Sequence, residues 1–315
     1  MIKQVVLYFP GQGAQQLGML ADLAEQYPVI KETFEQASQA IDQDLWSLVQ
    51  NGPAEELNLT YNTQPILVTA SAALWRVIQQ EAGSDIQVVA AAGHSVGEYS
   101  ALNAAGILSL QDAVRLVKKR GELMDTAVPA GEGGMAAILG LDREQIEKVC
   151  ADASFAGVVE PANFNAPGQI VIAGTAAGIK QACLTAKEAG AKRALPLQVS
   201  GPFHSSLMRQ AAEPFVEALD NVEWRVPSFD VFHNATNAIS PVSDIKQRLV
   251  EQLYSPVNWI GAVEESSKGV DLAIEVGPGK VITGLNKRIN KALATFPTGD
   301  CASFEKLLSA LKGEE

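Results

Sequence analysis

Residues 86–102, IQVVAAAGHSVGEYSAL, contain the change of pattern that decides the fold. The first seven residues form an apolar run as long as a buried strand, and residues 97–106 have helical spacing. The two patterns meet at Gly93-His94-Ser95-Val96-Gly97, a turn with a serine between two glycines. A strand that passes through a tight turn into a helix is typical of α/β domains, so we expect an α/β fold.

This turn fits G-x-S-x-G, the pattern of a nucleophile elbow. Such a bend exposes the serine hydroxyl and directs neighbouring backbone N–H groups toward one point, which acyl transfer through a serine requires. The same residues also suit an ordinary turn that needs small side chains. Ser95 is therefore a candidate nucleophile that needs a base.

Strand and helix patterns alternate on both sides of this turn. Residues 4–9 have the pattern of a buried strand, and helical patterns cover residues 29–42, 66–81 and 109–125. After residue 200, strands are predicted in FDVFHNA and DLAIEV, and a last helix in FEKLLSALK. This alternation predicts a hydrolase-like α/β domain with a parallel sheet.

A different pattern interrupts this domain after PAGEGG at residues 129–134. The order that follows is strand, helix, two strands, helix and strand, which is the βαββαβ arrangement of ferredoxin-like domains. We predict a discontinuous α/β catalytic domain, residues 1–131 and 200–315, with a ferredoxin-like subdomain inserted at residues 132–199.

The composition excludes several classes of protein. The chain has 315 residues, of which 47% are apolar and 19% charged, so it can bury a large core and is not expected to be disordered. A net charge of −12 argues against nucleic acid as a partner, and no apolar stretch is long enough to span a membrane. Three cysteines without metal-like spacing suit a reducing cytoplasm. The N-terminus has the pattern of a first strand, not of a signal peptide.

Three histidines are available as the base for Ser95. His94 adjoins the serine, and alternation at the strand end directs its side chain elsewhere. His233 lies in an apolar strand pattern that is typical of a half-buried structural histidine. His204 follows Gly201-Pro202 where the inserted subdomain rejoins the main domain, and pockets favour such junctions. His204 is the better candidate.

The loop FPGQGAQQLG, residues 9–18, resembles a nucleotide-binding loop but fails both tests. Gln16 stands where a dinucleotide fingerprint needs glycine, and Met19 stands where a phosphate loop needs lysine. A glycine-rich strand end can instead supply an oxyanion donor, so we predict backbone donors at Gln12 and Val96. An ordinary tight turn is the alternative.

Arg120 lies on the apolar side of its predicted helix, SLQDAVRLVKKRGELM. A guanidinium that faces the interior is costly unless it is paired, and its planar fork suits a carboxylate. The partner is either an internal Asp or Glu, in a structural pair, or the carboxylate of a substrate.

Seven motifs in order give the chain a resemblance to the malonyl-CoA:acyl-carrier-protein transacylases of bacterial fatty-acid synthesis. The motifs are PGQGAQ, GHSVGEYSAL, KKRGELM, NFNAPGQIVIAG, GPFHSSLM, EQLYSPVNW and EVGPGKVITGL. They extend over essentially the full length, including the inserted subdomain. Ala14 is one difference, since serine is also common there in the family.

The resemblance implies a role for each matching position. Ser95 becomes the nucleophile and His204 its base, with Gln12 and Val96 as oxyanion donors. Arg120 becomes the ligand of the malonyl carboxylate. The remaining positions that match residues at the family's active site are Asn163, Gln252, whose carbonyl would orient the histidine, and Phe203, which fits the malonyl-selective pattern.

The resemblance also implies the reaction and its partners. The malonyl group of malonyl-CoA would pass through a serine ester to the phosphopantetheine thiol of acyl carrier protein. No cofactor and no metal ion are expected, and the protein is expected to be a cytoplasmic monomer. Because carrier proteins are acidic, docking needs a local basic patch. The candidates are Lys280, Lys287, Arg288 and Lys291, with the second and fourth one helical turn apart; a merely solvated helix face is the alternative.

Two other functions remain open on the residues alone. A serine hydrolase such as a thioesterase also has a nucleophile elbow. Its catalytic histidine usually lies late in the chain, after an aspartate or glutamate, whereas more than 100 residues follow His204 here. A non-catalytic scaffold that binds acyl groups would leave Ser95 unmodified by malonyl-CoA. Product analysis with and without carrier protein separates these functions.

Overall fold

The computed structural model describes residues 2–313. Its strands are β1 (Lys3–Phe9), β2 (Ile86–Gly93), β3 (Gly133–Leu139), β4 (Val159–Ala166), β5 (Gln169–Thr175), β6 (Arg193–Pro196), β7 (Asp230–His233), β8 (Ala238–Ile239), β9 (Leu272–Glu275) and β10 (Thr295–Pro297).

Its helices are α1 (Ala21–Gln26), α2 (Val29–Ile41), α3 (Leu45–Asn51), α4 (Ala54–Leu57), α5 (Thr60–Ala82), α6 (Gly97–Ala104), α7 (Leu110–Thr126), α8 (Arg143–Ala153), α9 (Ala176–Glu188), α10 (Arg209–Leu219), α11 (Val242–Tyr254), α12 (Trp259–Ser266), α13 (Val281–Ile289) and α14 (Cys301–Lys312). Two short 3-10 helices cover Ser154–Ala156 and Ser206–Met208. Within residues 2–313, no helix is both long enough and apolar enough to cross a membrane.

The larger sheet has six strands in the order β10-β9-β1-β2-β7-β8. All neighbours are parallel except β7 and β8, which form an antiparallel edge. The strands β1 and β2 end together, with Phe9 paired to Gly93. The glycine loop after β1 and the serine turn after β2 therefore lie side by side at one edge, where open α/β sheets bind ligands. The predicted α/β fold with a parallel sheet is confirmed.

The second sheet has four antiparallel strands in the order β4-β5-β3-β6. Helices α8 and α9 pack against each other and against this sheet, and the buried residues between them form a separate apolar core. The predicted βαββαβ arrangement is confirmed. The division at residues 131/132 and 199/200 stays a prediction. Main-chain hydrogen bonds join β4 to Val257 and so attach the second sheet to the larger domain.

Helix boundaries differ from the prediction mainly where polar residues are buried. Helix α5 begins at Thr60, six residues before the predicted start, although it contains Pro65. Its first turns bury Thr60, Asn62, Thr63 and Gln64, which contact distant residues and carry no apolar periodicity. The α-helices and strands that were not predicted are α3, α4, α11, α12, β8 and β10. The last strand of the predicted βαββαβ order, expected in KRALPLQV at residues 192–199, is confined to β6.

Helix α7 crosses α5 at a point that admits only glycine. A Cβ on Gly121 would lie 2.6 Å from the Cα of Tyr61 in α5. Close approach of the two backbones keeps this side of α7 against the protein interior. The neighbouring Arg120 is consequently one of the largest fully buried side chains.

The turn between β2 and α6 is the tightest contact of this kind. A Cβ on Gly93 would lie 1.9 Å from the carbonyl carbon of Gly97, and one on Gly97 would lie 2.3 Å from the carbonyl oxygen of Phe9. Ser95, at the apex, has φ of 53°, a left-handed conformation that a serine adopts only under constraint. The two glycines are therefore required by backbone contact on both sides of the serine.

The substitution Gly93→Ala should lower the free energy of unfolding by about 3 kcal/mol or more, because the added methyl group meets backbone that cannot move aside. Denaturant titration measures the change. Gly284→Ala in α13 is the matched control, since its Cβ would meet nothing within 4 Å and alanine favours a helix by up to about 1 kcal/mol. Equal stability of the two variants would contradict the account of the turn.

Candidate active site

Ser95 and His204 form a hydrogen-bonded pair. Ser95 Oγ lies 2.7 Å from His204 Nε2, and His204 Nδ1 lies 2.9 Å from the main-chain oxygen of Gln252. Because that carbonyl only accepts, Nδ1 carries the ring hydrogen and Nε2 accepts from the serine hydroxyl. His204 has φ of 61°, so both partners are held in strained backbone conformations.

The surroundings of His204 keep its imidazole neutral. The side chain is 3% exposed. Burial, helped by the nearby Arg120 cation, lowers the pKa of His204 to about 3, and the bond to Gln252 only partly opposes this. His204 is thus available to accept a proton throughout the neutral and mildly acidic range.

The other two histidines have different partners. His94 Nε2 lies 2.7 Å from Asn165 Oδ1, and burial lowers the pKa of His94. His233 Nδ1 lies 2.7 Å from Glu98 Oε1. His233 is 2% exposed, so it is fully buried where the strand pattern predicted a half-buried residue. The difference arises because Glu98 satisfies its ring in the interior.

The two residues predicted as backbone donors come from different elements of the fold. Gln12 lies in the loop after β1 and Val96 precedes the first turn of α6, and both line the same cavity as Ser95. Within residues 2–313, neither N–H donates to a protein acceptor. The Gln12 loop packs closely on the elbow. A Cβ on Gly11 would lie only 2.6 Å from the main-chain oxygen of His94, so the close packing requires glycine at this position. Free N–H groups beside a hydroxyl can hold an oxyanion.

Arg120 reaches the same hydroxyl and is 1% exposed. Its Nη1 donates to Gln64 Oε1 at 2.8 Å, and its Nη2 to Gln252 Oε1 at 3.0 Å and to Ser95 Oγ at 3.2 Å. Its Nε has no partner within residues 2–313, and no carboxylate of that range forms an ion pair with it. The structural Arg–Glu pair is therefore absent from the described part of the chain.

The groups open into one cavity of about 170 Å³. Asn163 and Phe203, both nearly buried, form part of its wall, whereas the Gln252 side chain lies behind the wall. The rest of the wall is largely apolar and includes Met124, Met135, Val171, Leu197 and Val199. Strands of the second sheet contribute Met135, Asn163 and Val171, whereas Ser95 and Arg120 come from the larger domain, as expected for a pocket at a junction of two structural units.

Sequence analysis missed three residues that touch this site: Gln64, Glu98 and Asn234. Asn234 Oδ1 accepts from the N–H of Ser95 at 2.8 Å, and Glu98 accepts from the side chain of Gln252 at 2.6 Å. Glu98 had a usable signal, because an acidic residue stands among small and apolar residues in GEYSALNA. Gln64 and Asn234 come from distant parts of the sequence, and no local pattern indicated that they would reach the site.

The four basic docking candidates are exposed, but their expected spacing is wrong. Helix α13 ends at Ile289, so Lys291 lies beyond it and is not one helical turn from Lys287. Asn290 adopts an extended conformation that ends the helix. Arg288 donates to the oxygen of Pro167 and to Gln169, which ties it to the turn between β4 and β5.

Within residues 2–313, no group of three or more His, Cys, Asp or Glu side chains is arranged to hold a metal ion. The site contains a hydroxyl, a neutral imidazole, a guanidinium and backbone donors. These groups together can form and break an ester on Ser95.

Comparison with known proteins gives the same class of chemistry. The acyl transferase domain family matches residues 6–283. The malonyl CoA-acyl carrier protein transacylase of Haemophilus influenzae is 51% identical over 305 residues, which cover 96% of this chain and 97% of the relative. The transacylase of the same name from Bacillus subtilis is 48% identical, with 99% of both chains covered.

Solved structures match over the whole fold. An acyl carrier protein S-malonyltransferase from Vibrio cholerae superimposes with a TM-score of 0.92, at 50% identity over 97% of this chain and 99% of that chain. A malonyl-transacylase solved in complex with a type II PKS acyl-carrier protein gives 0.94, at 47% identity over 98% and 99%. The chain belongs to the acyl transferase domain family.

Proposed function

We propose that this protein transfers the malonyl group of malonyl-CoA to the phosphopantetheine thiol of acyl carrier protein, through an ester on Ser95. The observation that carries the proposal is the convergence of Ser95, His204 and Arg120 on one small cavity. The first two groups supply an activated hydroxyl, and the third supplies a cation for an acyl group that ends in a carboxylate. The relatives named as malonyl CoA-acyl carrier protein transacylases support the choice of both substrates.

In the first half-reaction, Ser95 Oγ attacks the thioester carbonyl of malonyl-CoA. His204 Nε2 takes the hydroxyl proton, to which it is already hydrogen-bonded. The N–H groups of Gln12 and Val96 hold the oxyanion that forms. Collapse of the intermediate breaks the carbon–sulfur bond, and His204 returns the proton to the coenzyme A thiolate, which leaves as the thiol.

In the second half-reaction, the phosphopantetheine thiol enters in place of coenzyme A. His204 takes the thiol proton while the sulfur attacks the ester carbonyl, and the proton then passes to Ser95 Oγ as the ester breaks. Each half-reaction converts a thioester to an ester or the reverse. The site therefore mainly needs to position the substrates, stabilise the developing charge and exclude water. Asn163 and Phe203 bound the space for the acyl group.

Arg120 selects the acyl group in this proposal. Its guanidinium is buried, has two of its five N–H groups without a protein partner and meets no carboxylate within the described residues. A malonyl carboxylate can accept from two of its N–H groups, whereas an acetyl group offers no charge.

Docking, assembly and location complete the proposal. The exposed Lys280, Lys287, Arg288 and Lys291 remain candidates for contact with an acidic carrier protein, although Arg288 already holds the turn after β4. We propose that the protein acts as a monomer in the cytoplasm, where both substrates are expected.

Product analysis tests the proposed function. Malonyl-CoA and holo acyl carrier protein should give malonyl carrier protein and free coenzyme A, and malonyl-CoA alone should give little free malonate. Ser95→Ala should abolish transfer, and His204→Ala should lower its rate by about 10²–10⁴-fold. Rapid release of malonate without carrier protein would assign the site to a thioesterase, and no reaction at all would leave only a binding protein.

The pH dependence of Ser95 acylation tests the state of His204. A base with a pKa of about 3 stays neutral as the pH falls through the usual range of histidine, so the acylation rate should stay level from about pH 8 to about pH 5. Single-turnover kinetics with malonyl-CoA measure the rate. An acid limb with a midpoint near pH 6.5 would show that His204 is not protected from protonation.

Arg120→Ala should impair malonyl transfer alone. Loss of one partner of a buried charged pair costs roughly 2–5 kcal/mol, or on the order of 30- to 4,000-fold in kcat/KM for malonyl-CoA. Acetyl-CoA has no carboxylate that could contact Arg120, so the variant should react with acetyl-CoA at least as well as the parent protein does. Arg120→Lys is the control for charge, and it should not fully restore malonyl transfer, since a point charge cannot replace the fork. Equal losses toward both substrates would end the claim of carboxylate recognition.

A further inference from the structure

Glu98 is a buried carboxylate to which neither motif nor mechanism has given a task. It lies in the first turn of α6, three residues after Ser95, and is fully buried. Three donors surround it: His233 Nδ1 at 2.7 Å, the N–H of Asn234 at 3.0 Å and Gln252 Nε2 at 2.6 Å. A group that accepts from three sides and donates to none is best satisfied as the carboxylate anion.

Gln252 connects this anion to Arg120. Its Nε2 donates to Glu98, and its Oε1 accepts from Arg120 Nη2 at 3.0 Å. The amide cannot rotate by half a turn, because a carboxylate only accepts and a guanidinium only donates. The same residue also holds the main-chain oxygen of Ser95 at 3.1 Å and, through its own carbonyl, His204 Nδ1. One amide thus transmits the position of Glu98 to the guanidinium.

Arg120 needs such a counter-charge. A buried guanidinium without a compensating anion is expensive, and burial already lowers the pKa of Arg120. The aromatic ring of Tyr99 lies 5.6 Å from its Cζ, but burial raises the pKa of that phenol, so Tyr99 remains neutral. Glu98 is the carboxylate whose charge opposes the lowered pKa of Arg120.

We propose that Glu98 is the counter-charge of Arg120, acting through the Gln252 amide, and that it is a positioning residue for malonyl selectivity. A carboxylate in direct contact would neutralise the guanidinium and occupy the fork that the substrate needs. Placing the anion one amide away stabilises the cation and fixes its direction, while the face toward Ser95 stays open to the acyl carboxylate. This inference rests on the proposed function.

Glu98→Gln removes the charge and keeps the shape. Without that anion the Gln252 amide no longer fixes the direction of the Arg120 guanidinium, so kcat/KM for malonyl-CoA should fall roughly 10- to 100-fold, as expected for a binding group misplaced by about 1 Å. The value for acetyl-CoA should change little, so the malonyl-to-acetyl ratio falls. A purely structural role for Glu98 predicts equal losses toward both substrates.

The double variant Glu98→Gln with Gln252→Glu relocates the charge. Total charge is kept, but the carboxylate now meets Arg120 directly, so the variant should lose its preference for malonyl-CoA, while loss of the Gln252 bond to the Ser95 main-chain oxygen should lower its Tm. It also keeps the test decisive if Glu98→Gln alone does not fold. A preserved malonyl-to-acetyl ratio in either folded variant would overturn the proposal.

Glu275→Gln is the matched control for removal of a buried carboxylate. Glu275 is fully buried and accepts from the N–H groups of Ile282 and Thr283 at the start of α13, away from the cavity wall. Its substitution should lower Tm and leave the malonyl-to-acetyl ratio unchanged. If the parent protein forms no malonyl ester on Ser95, the proposed function fails. If the ester forms and the ratio is unchanged in Glu98→Gln, only this inference fails.

Discussion

The contact between Gly93 and Gly97 is the constraint on which the rest of the site depends. Because neither glycine places a side chain between the two backbones, β2 can turn sharply into α6. The turn leaves Ser95 at its apex in a left-handed conformation. The strain is maintained because both ends of the turn are anchored in regular structure and Asn234 holds the N–H of Ser95. The hydroxyl is consequently fixed in space before any substrate arrives.

Everything else in the site is positioned relative to that hydroxyl. The loop after β1 packs on the elbow and brings a backbone donor, while the close crossing of α5 and α7 at Gly121 carries Arg120 into the interior. Gln252 in α11 then contacts the nucleophile, its base and the arginine together. One hydrogen-bond network therefore joins Ser95, His204 and Arg120, and through Gln252 it extends to Glu98 behind the cavity.

Short stretches of sequence were sufficient to predict those elements whose structure depends on the residues within the stretch itself. The elbow, the first strands and the βαββαβ order follow from apolar periodicity and glycine placement, and Arg120 stood out because it broke the pattern of its own helix. The choice of His204 over His233 relied on its place at a junction, and the distances agree with that choice. The short strands β8 and β10 carry too few residues for a period to be seen.

The remaining features depend on contacts between distant residues. The early start of α5 is stabilised by buried polar side chains whose partners lie far along the chain, such as Gln64 with Arg120. The pairing of Glu98 with His233 and Asn234 spans more than 100 residues and has no counterpart in local spacing. The helix around Lys287 was extended too far because Lys291 suited a helical pattern, whereas the chain becomes extended at Asn290.

The central claim is that Ser95 carries the acyl group between the two substrates. Its most direct test is to incubate the protein with malonyl-CoA alone, digest it and locate the added mass by mass spectrometry. The account predicts a malonyl ester on the peptide that contains Ser95, and loss of that ester when holo acyl carrier protein is added. A malonyl group on Cys150, Cys183 or any residue other than Ser95, or no covalent adduct at all, would contradict it.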